Sequence, residues 1–203
     1  MERLRIGYPP QTVTTAGSPG DCWMKCHEVI EDQREHRIEQ ALRKMNVRRR
    51  QLSREELEAE IIDYLSIKQP CSLATCGSDG APRISVVDYI NEGLVIYIFS
   101  EGGDKFKNLR NNKQVAIGIG TGTKAINTRG INIWGTAEVF SDDTPEFMHG
   151  ITVFKPILKD MEDALGVPVH IPKGLLKMIR VTPVKIVYHR TCKGIKYALW
   201  EAS

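Results

Sequence analysis

The spacing of apolar residues along the chain first indicates a helix that faces a core. Ser53 is followed three residues later by Glu56, which forms the pattern of a capping box at a helix start. Four apolar residues then follow at helical spacing: Leu57, Ile61, Tyr64 and Leu65. Because residues three and four apart share one side of a helix, this pattern predicts a helix with one buried face.

After Pro70 the pattern changes to short apolar segments that are separated by glycine-rich turns. Such segments are typical of antiparallel strands joined by hairpins. We predict six strands, at residues 71–76, 82–90, 94–99, 115–120, 130–140 and 175–189. One short helix containing Lys105 is inserted between them, and a further helix begins near Pro145. The expected fold is mainly β (α+β), an antiparallel six-stranded split β-barrel with flanking helices, because curling the sheet protects its edges.

The N-terminal quarter has a different character from the rest of the chain. Residues 1–20 contain prolines and glycines without any helical or strand period, which indicates an extended arm. Residues 22–50 are rich in Glu, Arg and Gln, and their apolar residues are too sparse for a broad buried face. We therefore expect an N-terminal arm and peripheral helix over residues 1–50, and a barrel domain over residues 51–203.

Composition and charge narrow the classes of partner. The chain has 203 residues with a formal net charge of +3 from 28 basic and 25 acidic residues. This balance argues against a nucleic-acid partner, which would favour a concentrated basic surface. The chain has no apolar stretch of about 18 residues and no apolar signal segment at its start, so we expect a cytoplasmic protein without a membrane partner.

Five cysteines, an odd number, indicate reduced thiols or a metal site rather than a disulfide framework. In a helix, Cys22, Cys26 and His27 would lie close together, and such a cluster suits a metal or a redox pair. The alternative is two partly buried structural thiols. A closed metal site would need a further ligand, for which the candidates are His36, Cys71, Cys76 and a group of a partner chain. Since Cys71 and Cys76 lie five apart on a predicted strand, they point to opposite faces and are expected to be core thiols.

The region between residues 73 and 115 contains the parts of an anion site. Arg83 and Ser85 lie on a predicted strand, and Ser100 precedes a Gly102-Gly103 pair that leads into the helix with Lys105. A phosphate is bound by fixed N–H donors at a helix start, by small residues that permit close approach, and by cations. The alternative is an ordinary turn followed by solvated lysines.

Several motifs in this order resemble the pyridoxamine 5′-phosphate oxidase-like, FMN-binding split-barrel superfamily. They are LATC at 73–76, GSDGAP at 77–82, RISVVDY at 83–89, KFKNLR at 105–110 and WGTAE at 134–138. The resemblance covers roughly residues 54–190. It implies a homodimer with FMN at the subunit interface, held on its phosphate and ribityl side by Arg83, Ser85, Ser100 and Lys105. By the same resemblance, Val86, Val87, Phe99 and Trp134 line the flavin ring.

The resemblance also implies an FMN-dependent oxidoreductase or reductase that acts on a small molecule and needs no catalytic side chain. Two positions depart from the family pattern: the residue before the helix lysine, often a second cation in the family, is Asp104, and the C-terminus lacks an arginine-rich ending. We therefore do not expect pyridoxamine phosphate as substrate. The alternatives are a non-enzymatic flavin-binding redox sensor and a haem-binding protein with His27 or His189 as iron ligand.

Overall fold

The structure, a computed structural model, describes residues 33–67, 69–121, 125–169 and 172–203. The chain divides into two compact units, residues 1–41 and 42–203. The described helices are α1 (residues 33–44), α2 (Arg54–Leu65), α3 (Asp104–Asn111) and α4 (Pro145–Leu165). The described strands are β1 (Cys71–Cys76), β2 (Pro82–Val87), β3 (Ile90–Glu92), β4 (Val95–Ser100), β5 (Gln114–Thr121), β6 (Arg129–Phe140), β7 (Lys177–Arg190) and β8 (Ile195–Glu201). Within these residues, no helix combines the length and the apolar character that crossing a membrane requires.

Helix α2 begins as its sequence predicts. The Ser53 hydroxyl accepts a hydrogen bond from the Glu56 backbone N–H at 3.2 Å, and the Glu56 carboxylate accepts from the Ser53 N–H at 2.9 Å. This reciprocal pair satisfies two backbone donors that the first turn of a helix leaves without a partner. The four apolar residues at helical spacing are all buried, which confirms the prediction of a core-facing helix.

The eight described strands form one antiparallel sheet in the order β2-β1-β5-β6-β7-β4-β3, with β8 also paired to β7. Strand β6 pairs with β7 along nearly the whole length of both strands. The other edge of β7 is shared, with β4 paired to its first half and β8 to its second half. The sheet curls into a half-barrel, so the mainly β split-barrel fold is confirmed.

Two strands are additional to the six that were predicted. The predicted strand at residues 82–90 stops at Val87, and Ile90 begins the separate strand β3. Between them the Tyr89 side chain turns into the core, where its hydroxyl donates to the Leu65 carbonyl oxygen at 2.9 Å. Strand β8 follows a turn at Gly194, whose φ of +72° suits glycine, and its short alternating pattern was not recognised as a strand.

The inner face of the curled sheet carries the main core. Apolar side chains of β1, β4, β5, β6 and β7 pack there against α2 and α3. On the other face, α4 covers the strands near β4, where Phe147 packs with Met178 and Phe99. Because successive side chains of a strand alternate between faces, each strand contributes to both sides of the sheet.

The rest of the outer face of the sheet remains uncovered in the described part of the chain. We call it the outer sheet patch. Its centre is flat where Ala74 of β1 lies opposite Ala116 of β5, with Gly118 next to them on the same face. Residues that are directly opposite in an antiparallel sheet point to the same face, so the patch is continuous from β2 to β8. Its apolar and small members are Ile84, Val86, Ala74, Ala116, Gly118, Trp134, Val187 and Leu199, and the polar residues in the same rows are Ser72, Asn132, Lys185 and Glu201.

Substitution of Gly135 by Ala should destabilise the fold by about 1–3 kcal/mol, as expected for overpacking. Gly135 lies at the register shift between β6 and β7, and a Cβ there would lie 2.6 Å from the Thr182 carbonyl oxygen. Urea unfolding followed by circular dichroism measures the change. Gly120→Ala is the matched control, because nothing lies within 4 Å of its added methyl group. Equal stability of the two variants would contradict the steric account.

Candidate functional site

The hairpin between β1 and β2 places Arg83 at the start of β2. Arg83 lies opposite Thr75 of β1, and Ser85 lies opposite Leu73. Since side chains alternate along a strand, Arg83, Ser85 and Val87 share one face of β2. Val87 packs against the main core, so this face is the inner one. The cation and the hydroxyl that the sequence singled out therefore lie on the same side of the same strand.

The segment after β4 places Lys105 at the start of α3. Gly103 precedes the helix with a φ of +103°, a conformation that favours glycine, and no side chain caps the helix there. Lys105 is only 8% exposed, and its ammonium group donates to the Gly102 carbonyl oxygen at 2.5 Å. A helix start with exposed N–H groups and a nearby lysine is a favourable environment for an anion.

An ion pair connects the start of β2 with the start of α3. The Arg83 guanidinium lies 2.7 Å from the Asp104 carboxylate at the first position of α3. Burial, and then the positive charge of Arg83, hold the pKa of Lys105 below its usual value. Ser100 donates to the Gly102 carbonyl oxygen at 3.4 Å. Thus Arg83, Ser100 and Lys105, which are separated in sequence, all surround the segment 102–104.

A cleft of about 400 Å³ lies beside these residues. The β1–β2 hairpin forms one wall and α3 the other, and the lining includes Arg83, Asp104, Lys107, Asn108 and Asp79. Of the four predicted phosphate-side residues only Arg83 lines this cleft, whereas Ser85, Ser100 and Lys105 lie outside its lining. Arg83, Lys107 and the start of α3 are the kinds of group that hold a phosphate, although Arg83 is already paired with a carboxylate.

A contact that the sequence did not reveal keeps the two walls together. Asn108 of α3 donates to the hydroxyl of Thr75, a buried residue of β1, at 3.1 Å. The hairpin also approaches closely, because a Cβ at Gly77 would lie 3.1 Å from the Asn108 side-chain oxygen. No spacing or motif distinguishes Thr75 and Asn108 from ordinary polar residues, so only the tertiary structure identifies them.

Of the four predicted ring-lining residues, only Val87 lies on the same face of β2 as Arg83. The other three lie elsewhere in the single chain. Val86 points to the opposite face of β2 from Arg83 and belongs to the outer sheet patch. The Phe99 ring packs against Phe147 and Phe154, with centroid distances of 5.5 and 4.8 Å. Trp134 is on β6, with the Lys185 ammonium 5.8 Å from its ring centroid. In a single chain these side chains therefore lie apart from the anion site.

The predicted metal residues Cys22, Cys26 and His27 lie outside the described residues. Within the described residues, no group of three or more His, Cys, Asp or Glu side chains could hold a metal ion. Cys71 is buried, and burial raises the pKa of its thiol to about 12. The burial of Cys71 agrees with its prediction as a core thiol.

A second cleft of about 500 Å³ lies between α2 and the end of β7. Its Glu60 carboxylate accepts hydrogen bonds from Arg190 at 3.1 Å, from Lys193 at 2.5 Å and from the Tyr188 hydroxyl at 3.2 Å. Arg129 in turn donates to Tyr188 at 2.8 Å. The cations here are matched by carboxylates of α2, so this network anchors the helix to the sheet.

Fold and site together define a split-barrel protein with a candidate anion site beside α3. The sequence profile described as pyridoxamine 5′-phosphate oxidase matches residues 57–190. The chain therefore belongs to this family. A search of the curated proteins finds no match.

Solved structures share the fold at low sequence identity. The conserved hypothetical protein Rv2991 from Mycobacterium tuberculosis has 23% identity and a TM-score of 0.54, with 72% of this chain and 92% of that chain covered. A FAD-binding protein from Mesorhizobium loti has 19% identity and a TM-score of 0.51, with 68% and 92% covered. A haem-binding protein from Mycobacterium smegmatis has 14% identity and a TM-score of 0.54, with 76% and 59% covered.

Replacement of Glu60 by Gln should lower the free energy of unfolding at pH 7 by about 1–3 kcal/mol, the range for hydrogen bonds to charged groups. Burial opposes ionisation of Glu60, but the hydrogen bonds from Lys193 and Arg190 outweigh it and lower the pKa of the carboxyl below its model-peptide value of 4.5. The folded state therefore favours the ionised form. Its stabilisation is present above pH 4.5 and is lost as the pH falls through the lower folded-state pKa.

Urea unfolding from pH 3 to pH 7 tests this direction of the pH dependence. The Glu60→Gln variant should show a smaller loss of stability on acidification than the wild type. Asp163→Asn is the control, because it removes an exposed carboxylate of α4. Identical pH profiles for wild type and Glu60→Gln would show that Glu60 does not anchor α2.

Proposed function

We propose that this protein is a flavin-binding oxidoreductase that acts on a small molecule, with FMN as its cofactor. The observation that carries the proposal is the meeting of Arg83 and Lys105 beside the start of α3. Membership of the pyridoxamine 5′-phosphate oxidase family supports it, and the FAD-binding neighbour shares the fold.

Different residues of the chain would bind different parts of FMN. Arg83 and Lys105 supply positive charge for the phosphate, and the hydroxyls of Ser85 and Ser100 are suited to the phosphate and ribityl side. The flavin itself supplies hydride or electron transfer when bound, so the protein has to position it and control access to it. This division agrees with the expectation that no catalytic acid or base is needed.

The outer sheet patch supports a homodimer. Four large apolar side chains of this face are exposed, Ile84, Val86, Trp134 and Leu199, and exposed apolar side chains on one sheet face are typical of an interaction site. A flat sheet face is complementary to a second copy of itself. In such a dimer Trp134 and Val86 of one copy would contact the outer sheet patch of the other copy.

Haem binding is a second candidate because of the position of His189. The imidazole lies against Gly130, where a Cβ would be 2.6 Å from the His189 ring. Burial, and then the charge of Lys196, lower the pKa of His189 below its usual value. The ring is therefore neutral at pH 7, which is the form that can bind iron. The haem-binding neighbour shares the fold of this chain.

The flavin proposal predicts that the purified protein binds FMN at about one per chain and quenches its fluorescence. Arg83→Gln should weaken FMN binding about tenfold, because it removes a charge-assisted hydrogen bond to phosphate. Fluorescence titration measures both dissociation constants. Arg110→Gln is the matched control, since it removes an exposed cation from the other end of α3.

A protein that binds no FMN, or an equal loss of affinity in the two arginine variants, would contradict the proposal. The same purified sample distinguishes the second candidate. A haem absorption band on addition of hemin, absent in His189→Ala, would favour haem binding instead.

The dimer proposal predicts that Ile84→Lys converts the protein to a monomer of 22.9 kDa at micromolar concentration. A lysine placed in an apolar interface is desolvated without a partner charge, which is strongly unfavourable. Light scattering coupled to gel filtration measures the mass. Val167→Lys is the control, because Val167 lies outside the patch with 58% exposure against 68% for Ile84. A wild-type monomer, or dissociation in both variants, would contradict a dimer through this face.

A further inference from the structure

An ion pair closes one side of the proposed phosphate site. The Arg83 guanidinium donates to the Asp104 carboxylate at 2.7 Å, and the two side chains are 48% and 65% exposed. Asp104 occupies the first position of α3, where the helix dipole favours a negative charge. The Asp104 carboxylate therefore already interacts with the two groups that would attract an anionic ligand, the Arg83 guanidinium and the start of α3.

This arrangement changes the charge that a ligand would meet. Arg83, Lys105 and Lys107 contribute three positive charges, and Asp104 and Asp79 offset two of them. A phosphate monoester carries about −1.5 to −2 at pH 7, so it would approach a site with a like charge at its centre. Lys105 alone cannot replace Arg83, because its ammonium group is buried and already donates to the Gly102 carbonyl oxygen.

We propose that Asp104 competes with the cofactor phosphate for Arg83, and so makes FMN an exchangeable ligand of this site rather than a permanently bound one. This inference rests on the proposed function. Binding of the phosphate requires the Arg83–Asp104 pair to open or to be shared. Both side chains are partly exposed, so the carboxylate can move into water when the phosphate arrives.

A second carboxylate in the same cleft provides a matched comparison. Asp79 lines the cleft, but its side chain accepts a hydrogen bond from the Ala81 backbone N–H at 3.1 Å in the β1–β2 turn. An asparagine at this position retains the accepting oxygen and removes the charge. Asp79→Asn therefore lowers the negative charge of the cleft without releasing Arg83, whereas Asp104→Asn does both.

The experiment compares FMN with riboflavin, which has the same ring and ribityl chain without the phosphate. Fluorescence titration gives dissociation constants for the wild type, Asp104→Asn, Asp79→Asn, Arg83→Gln and the double variant Asp104→Asn/Arg83→Gln. We expect Asp104→Asn to tighten FMN binding about twofold to fivefold, the upper part of the range for release of an exposed ion pair. Riboflavin affinity should change by less than about twofold, since no phosphate competes for Arg83.

Three further results are expected. The gain from Asp104→Asn should disappear in the Arg83→Gln background, because the competition acts through Arg83. Stopped-flow measurement should show slower FMN release from Asp104→Asn than from the wild type. The gain should also shrink at about 1 M salt, where charges are screened within about 3 Å.

The possible failures are distinguishable. If riboflavin and FMN both bind but Asp104→Asn leaves FMN affinity unchanged, the competition is overturned and the flavin function stands. An equal gain in FMN affinity in Asp79→Asn, or a gain that persists in the Arg83→Gln background, also overturns the competition. Either result would show that the affinity depends on the total negative charge of the cleft and not on the Arg83–Asp104 pair. If neither flavin binds to any variant, the proposed function and this inference both fail. Thermal unfolding of each variant establishes that the protein is folded in the titration.

Discussion

The long antiparallel pair of β6 and β7 is the interaction on which the rest of the structure depends. Twelve consecutive residues of β6, from Arg129 to Phe140, have partners on β7, and β7 then provides its other edge to β4 and β8. A strand that pairs with two different strands along one edge has to twist and bend, and a register shift at Gly135 accommodates this. The curl brings β4, and with it the segment 100–105, to the part of the sheet that also contains β2.

The anion site is a consequence of this curl and of one helix. Strand β4 leads directly into α3, and α3 is held against β1 by the hydrogen bond from Asn108 to the buried Thr75. Arg83, two strand positions from the hairpin turn, therefore faces the start of α3. The candidate site is therefore built on backbone elements that pack against the main core.

Charge within the site is balanced rather than maximised. Asp104 pairs with Arg83, while Lys105 is held by a carbonyl oxygen and its pKa is lowered by burial and by Arg83. In the second cleft, by contrast, Glu60 is surrounded by Arg190, Lys193 and Tyr188 and its partners are less exposed than Asp104. The more buried network anchors α2, and the more exposed pair beside α3 is free to exchange partners. The same kind of interaction thus holds α2 to the sheet in one place and, in the proposal above, controls ligand access in the other.

Local pattern in the sequence was enough to determine the helices, six of the strands and the order of the anion-site motifs. The capping box at Ser53, the glycine turns and the alternation of β6 act over a few residues, so they can be identified without the fold. Strand β3 could not be separated from β2, because the break at Tyr89 arises from its hydrogen bond to Leu65 in the core. The sequence also could not show that Val86 and Trp134 lie on the outer sheet patch, or that Arg83 pairs with Asp104. Those facts depend on which strands become neighbours and which face is buried, and contacts between residues distant in the chain decide both.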